Sequence, residues 1–220
     1  MAANAALGAP DSVAPAAGTI GVYADSAGTQ PCATVDQFAT LYVIAHVEGA
    51  SAPGITGAEF RIEVEHPSGW TFAYSAPPDA EIRMGNPIDL DPQKPDGGSG
   101  VRIAFAACRE PVHGKIDLGT IFVTRDGGTP THLVVKRHGK PSNAKYACAL
   151  FTLCDSPVFS KSCVSAVRDS CGSQEASASD AAVFVATLNV PGTAQPPCCS
   201  AGASGRGGKT RTSSGKNSTR

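Results

Sequence analysis

The chain reads as an all-β protein, an antiparallel β-sandwich of the jelly-roll or immunoglobulin type with about eight or nine strands. Three observations lead there. Apolar residues recur at every second position in short runs, Gly and Pro separate those runs, and no 3.6-residue period lasts three turns. At 220 residues the chain fits one such domain with ragged ends.

Residues 1–18 are rich in Ala, Pro, Gly and Ser, which do not repay the entropy of ordering, so a disordered leader is expected. Thr19 to Tyr23 is the first strand. Leu41, Val43, Ala45 and Val47 alternate with Tyr42, Ile44 and His46, which predicts a strand apolar on nearly both faces. From Ala58 to Glu65 every even position is apolar and every odd one charged, the pattern of a strand with one face on a core and one in water. Val101, Ile103, Phe105 and Ala107 form the next inward row. Ile116 to Val123, His132 to Val135, Val158 to Val167 and Ala181 to Val190 complete the set. Gly97-Gly98, Gly127-Gly128 and prolines at 53, 67, 77, 78, 87, 92, 95 and 130 punctuate them. The body is expected to span residues 19–191, followed by a flexible Gly/Ser/basic tail over 192–220.

The tail from Ala201 onward holds five basic residues and no acid. Without them the other 200 residues carry 13 basic and 19 acidic side chains, a net of −6. An acidic body gives no reason to expect a nucleic-acid partner. No stretch reaches the 18 apolar residues of a membrane span. The start, Met1 to Gly18, lacks the basic and Leu-rich regions of a signal peptide, which leaves the export route open.

Export itself is expected from the eight cysteines. Cys32, Cys108, Cys148, Cys154, Cys163, Cys171, Cys198 and Cys199 include no Cys-x-x-Cys pair and meet no His-x-x-x-His, so disulfides are a better reading than zinc. Disulfides persist outside the reducing cytosol. Eight cysteines allow 105 pairings. The expectation is that Cys32 pairs with Cys108, and that Cys148, Cys154, Cys163 and Cys171 pair among themselves. Cys198 and Cys199 are adjacent in the tail and are read as vicinal, intermolecular or reactive. No local signature marks a catalytic thiol.

The order of the strand runs resembles the cohesin-like sandwiches of bacterial extracellular proteins, and uncharacterised secreted bacterial β-sandwich domains. Gly54-Ile55-Thr56-Gly57-Ala58-Glu59-Phe60-Arg61-Ile62 follows a strand ending Val43-Ile44-Ala45-His46-Val47. Gly100-Val101-Arg102-Ile103-Ala104-Phe105 and Leu118-Gly119-Thr120-Ile121-Phe122-Val123 come later. The resemblance covers residues 35–125. It implies a sandwich fold and an extracellular or cell-surface location, and it carries over no dockerin-contacting residue, since His66-Pro67 stands where cohesins tend to carry Tyr-Asp.

Trp70, Phe72 and Tyr74 are spaced by two, which puts their rings on one face of an extended strand. On a closed face they are core. On an open one they form a stacking platform for sugar rings. Asp89, Asp91 and Asp96 supply turn oxygens that suit a structural Ca²⁺, but Pro92 and the missing closing Glu break the EF-hand pattern. His46, His66, His113, His132 and His138 show no metal spacing and are read as surface or satisfied residues. Glu59, Glu63 and Glu65 are read as a solvated face. No Gly-x-Ser-x-Gly elbow is present.

The sequence therefore predicts a secreted, non-catalytic module for recognition or surface structure, without a cofactor. Its expected partner is another extracellular protein or a surface polysaccharide, and self-association stays open. The alternative is a carbohydrate-binding module using Trp70, Phe72 and Tyr74. A secreted hydrolase ranks below both.

Overall fold

The computed structural model describes residues 18–47, 54–91, 100–142, 148–154, 161–163 and 184–192. Thirteen strands run through them: β1 Gly18–Tyr23, β2 Cys32–Thr34, β3 Phe38–Val47, β4 Ile55–Val64, β5 Trp70–Ser75, β6 Ala80–Asn86, β7 Ile88–Asp89, β8 Gly100–Arg109, β9 Lys115–Arg125, β10 Thr131–Lys136, β11 Leu150–Leu153, β12 Lys161–Cys163 and β13 Phe184–Asn189. No helix occurs among the described residues. The expected runs all fall on strands, with boundaries that hold within the described residues to a residue or two except at the starts of β3 and β4, which begin at Phe38 and Ile55, ahead of the expected Leu41 and Ala58. The run expected at 158–167 lies largely outside the described residues, as do most of the leader and tail; Gly18 belongs to β1 rather than to the leader.

Two sheets form. One has the order β1-β3-β9-β5, all antiparallel. The other is built on β4, the strand with the cleanest alternation. The first half of β4 lies between β8 and β11, with Ala58 opposite both Ile103 and Phe151. Its second half lies between β10 and β7, with Ile62 opposite both Val135 and Ile88. β6 extends the sheet beyond β8, β12 beyond β11, and β13 and β2 beyond β10.

Alternation puts Ala58, Phe60, Ile62 and Val64 on the inner face of β4, where all are buried. They meet Leu41, Val43, Ile121 and Val123 within one core that also takes Val101, Ile103, Leu133, Val135 and Phe151. In β9 the alternation slips: Ile116 and Leu118 face inward, then Ile121 and Val123. The slip is a bulge at Gly119, with φ of 123°, opposite the register shift between Val43 and Ile44. A bulge lets both pairs stay buried across a strand of 11 residues.

Candidate functional site

Trp70, Phe72 and Tyr74 do share one face of β5, and that face is the closed one. Trp70 is 5% exposed, and its Nε1–H donates to the Thr129 carbonyl at 2.8 Å. Phe72, half-buried, stacks on Trp70 with ring centroids 6.5 Å apart. The Tyr74 hydroxyl donates to the Leu118 carbonyl at 2.5 Å, and burial, reinforced by the Asp117 charge, holds its pKa above the usual tyrosine range. Of the two readings of this triplet, core and sugar platform, the structure has the core.

The charged face of β4 is a correction. Glu65 is exposed, but Glu59 and Glu63 are buried, not solvated. Neighbouring strands supply what the sequence of β4 does not show. Arg61 bridges two carboxylates, Glu63 at 2.5 Å and Asp89 of β7 at 3.0 Å, and Lys136 of β10 reaches Glu63 at 2.6 Å. Glu59 accepts from Arg102 of β8 at 3.3 Å and from the Ser142 backbone N–H at 2.8 Å. Arg102 also donates to the Lys140 carbonyl, so the segment after β10 is drawn over this face. Three carboxylates thus meet three cations. Within a buried network such matching removes the cost that an unpaired charge would carry.

His138 lies in the same covering segment. It is buried, accepts from the Lys140 N–H at 2.9 Å, and has its pKa lowered by burial first and by Arg102 second. Glu59 and Glu63 stand four residues apart on one strand, about 13 Å along it. Carboxylates that cleave a glycosidic bond sit about 5–10 Å apart. Each is also held in its ion pair, so neither has the freedom of an acid or base poised for transfer.

Asp89 has little left for a cation. Its Oδ2 is engaged by Arg61, and its Oδ1 accepts the Asp91 backbone N–H at 3.1 Å. Asp91 is exposed, and Asp96 lies outside the described residues. No group of three metal-ligating side chains occurs among the described residues. His132 meets the Thr187 hydroxyl at 3.1 Å, and His66 and His113 are exposed.

The cysteine pairing also departs from expectation. Cys108, at the end of β8, is bonded to Cys154, just past β11, with Cα atoms 5.6 Å apart. Cys108 is therefore not the partner of Cys32, and Cys154 does not pair within the late cluster. The physical reason is topological: β8 and β11 flank the first half of β4 on opposite edges, and their ends converge beyond Ile55, which is opposite both Arg109 and Leu153. Cys32 and Cys148 are each engaged in a disulfide as well. The side chain of Cys163, and all of Cys171, Cys198 and Cys199, lie outside the described residues.

The outer face of β6 and β8 presents a surface that sequence reading did not single out. Ile82 pairs with Ala104 and Met84 with Arg102, so all four share the face opposite the buried Val101 and Ile103. Ile82 is 49% and Met84 55% exposed. Beside them the guanidinium of Arg102 is fixed by Glu59. The only advance signal was an Ile-x-Met spacing of two, flanked by charges, at 81–84.

The fold is a β-sandwich with side chains filling its interior. No protein-family model and no curated protein sequence matches the chain. Among solved structures it is similar to cohesin modules. One is the cohesin module of the Clostridium perfringens ATCC13124 family 33 glycoside hydrolase, at 11% identity, covering 80% of this chain and 98% of that one, with a TM-score of 0.45. Another is the sixth cohesin of Acetivibrio cellulolyticus scaffoldin B, solved in complex with a Cel5 dockerin, at 7% identity, 79% and 98% coverage and a TM-score of 0.43. A third is the seventh ScaB type I cohesin of Pseudobacteroides cellulosolvens, at 9% identity, 81% and 93% coverage and a TM-score of 0.44.

Proposed function

We propose that this chain is a non-catalytic recognition module of the cell exterior that binds another protein through the outer face of β6 and β8. The observation that carries the reading is the pair Ile82 and Met84, half exposed on one face of a strand that also carries Glu81 and Arg83. Protein interfaces combine exposed apolar anchors with positioned Arg, and Arg102 stands beside this pair already held by Glu59. Met suits such a surface because its unbranched thioether adapts to a partner's shape. The disulfides support an oxidising compartment. The engaged carboxylates of β4 and the buried Trp70 weigh against a hydrolase and against a sugar platform at residues 70–74.

The test is capture from the extracellular and surface proteins of the source organism, with chemical cross-linking. Wild-type chain is compared with an Ile82→Asp/Met84→Asp variant of the same thermal stability. The reading expects a protein retained by the wild type and lost by the variant. Equal retention by both removes this surface, and retention of an insoluble glycan instead of a protein replaces the reading with the carbohydrate one.

A further inference from the structure

The edge of the four-stranded sheet carries a second inference, independent of the β6–β8 surface. β5 is the last strand of that sheet: it pairs with β9 on one side and, among the described residues, with no strand on the other. An unpaired edge offers a row of free N–H and C=O groups, and proteins guard such edges with charges, prolines, bulges or shortness. β6 carries Glu81 and Arg83, and β12 carries Lys161. β2 has three residues and β7 two, while β1 is buried along its whole length. β5 has none of these guards. Its sequence, Trp70-Thr71-Phe72-Ala73-Tyr74-Ser75, holds no charge, no Pro and no Gly, and its pairing with β9 runs without a register shift. Six uncharged residues, four of them (Trp70, Thr71, Phe72 and Tyr74) of high β-propensity, are the signature of a segment that pairs with other strands.

We propose that β5 pairs antiparallel with β5 of a second copy of this chain, joining two four-stranded sheets into one continuous sheet across a two-fold axis. The occupant is argued from charge and from parity. A two-fold contact sets a strand against its own sequence, so any charge near the axis would meet its like. β5 has none. Centred on Ala73, the pairing sets Ala73 against Ala73, Thr71 against Ser75 and Phe72 against Tyr74. That register keeps the half-buried rings together on the inner side and the exposed Thr71, Ala73 and Ser75 together on the outer. The outer face continues in the same character. Thr40, Thr120, Phe122 and Thr124 carry no charge, and Phe122, 47% exposed, stacks with Phe38, 68% exposed, at 6.2 Å between centroids.

The experiment is sedimentation velocity on the full, oxidised chain over a concentration series, with hydrogen exchange of β5 read at the low and high ends. A dimer is expected, with β5 amides better protected when concentrated. Ala73→Lys places two ammonium groups opposite one another on an exposed face, and it should weaken the dimer at least tenfold while leaving Trp70 emission unchanged. Thr71→Lys, away from the axis, serves as a second folded variant and should weaken it less. A wild-type chain that stays monomeric throughout overturns the proposal. So does a dimer that Ala73→Lys leaves intact, or one whose β5 amides exchange alike at both concentrations.

Discussion

The imidazole of His138 occupies the space that a side chain at position 100 would need. A β-carbon on Gly100 would overlap the ring at Cδ2 and Cγ, and Gly100 has a φ of 147°, which L side chains rarely adopt. The glycine that opens β8 thus seats the histidine that closes the segment after β10, and that segment lies over Glu59.

The seat makes stability depend on pH. Burial, then Arg102, lowers the folded pKa of His138 below the unfolded value of about 6.5. Above that value both states are neutral, and the ring costs nothing. As pH falls through about 6.5 the unfolded chain takes a proton that the folded one refuses, so stability is lost toward the folded pKa. His138→Gln, which keeps an acceptor for the Lys140 N–H, should flatten that part of the decline. Urea midpoints between about pH 7.5 and 5 check it, and an unchanged slope in the variant assigns the decline to other groups.

Arg61 bridges Glu63 and Asp89, and its removal leaves Glu63 with Lys136 and takes from the buried Asp89 the cation that faces it. Arg61→Met should cost roughly 3–5 kcal/mol in urea unfolding. Arg61→Lys should cost less, because an ammonium keeps the charge but lacks the fork that reaches both partners. Equal costs for the two would mean that the forked guanidinium geometry, which both variants lose, matters and the charge by itself does not.

Trp70 is the chain's one tryptophan, so its emission reports this site alone. It should be blue-shifted and resist iodide quenching in the native state. Trp70→Phe strands the Thr129 carbonyl and leaves a void, at a cost of about 1–3 kcal/mol by thermal or urea unfolding. Red-shifted, quenchable emission would put the ring in water and reopen the platform reading.

Cys108 and Cys154 close a loop spanning 46 positions, for which chain entropy alone gives about 4 kcal/mol at most. Cys108→Ser/Cys154→Ser should lose a large part of this. Peptide mapping without reductant should recover the two cysteines in one cross-linked pair, and finding Cys108 joined to Cys32 would refute the topology at the end of β8.

Strands that bury one complete face were legible from residue order, because alternation is a property of the extended backbone and needs no partner. Ala58 to Glu65, the row from Val101 to Phe105, and the shared face of Trp70, Phe72 and Tyr74 all belong here. β6 was missed because its alternation, Ala80, Ile82 and Met84 against Glu81 and Arg83, is short and its apolar side is not core: six of its seven residues are exposed. β7, β2 and β12 are too short to show a period.

The residue order alone determined an all-β sandwich braced by disulfides, since period, punctuation and cysteine spacing are written along the chain. Tertiary structure alone decided which face of β5 is closed, which carboxylates of β4 are buried, and that Cys108 meets Cys154. Each of those depends on which strands lie beside which. Arg61 and Asp89 are 28 residues apart in the chain yet 3.0 Å apart in space, and no local pattern encodes that.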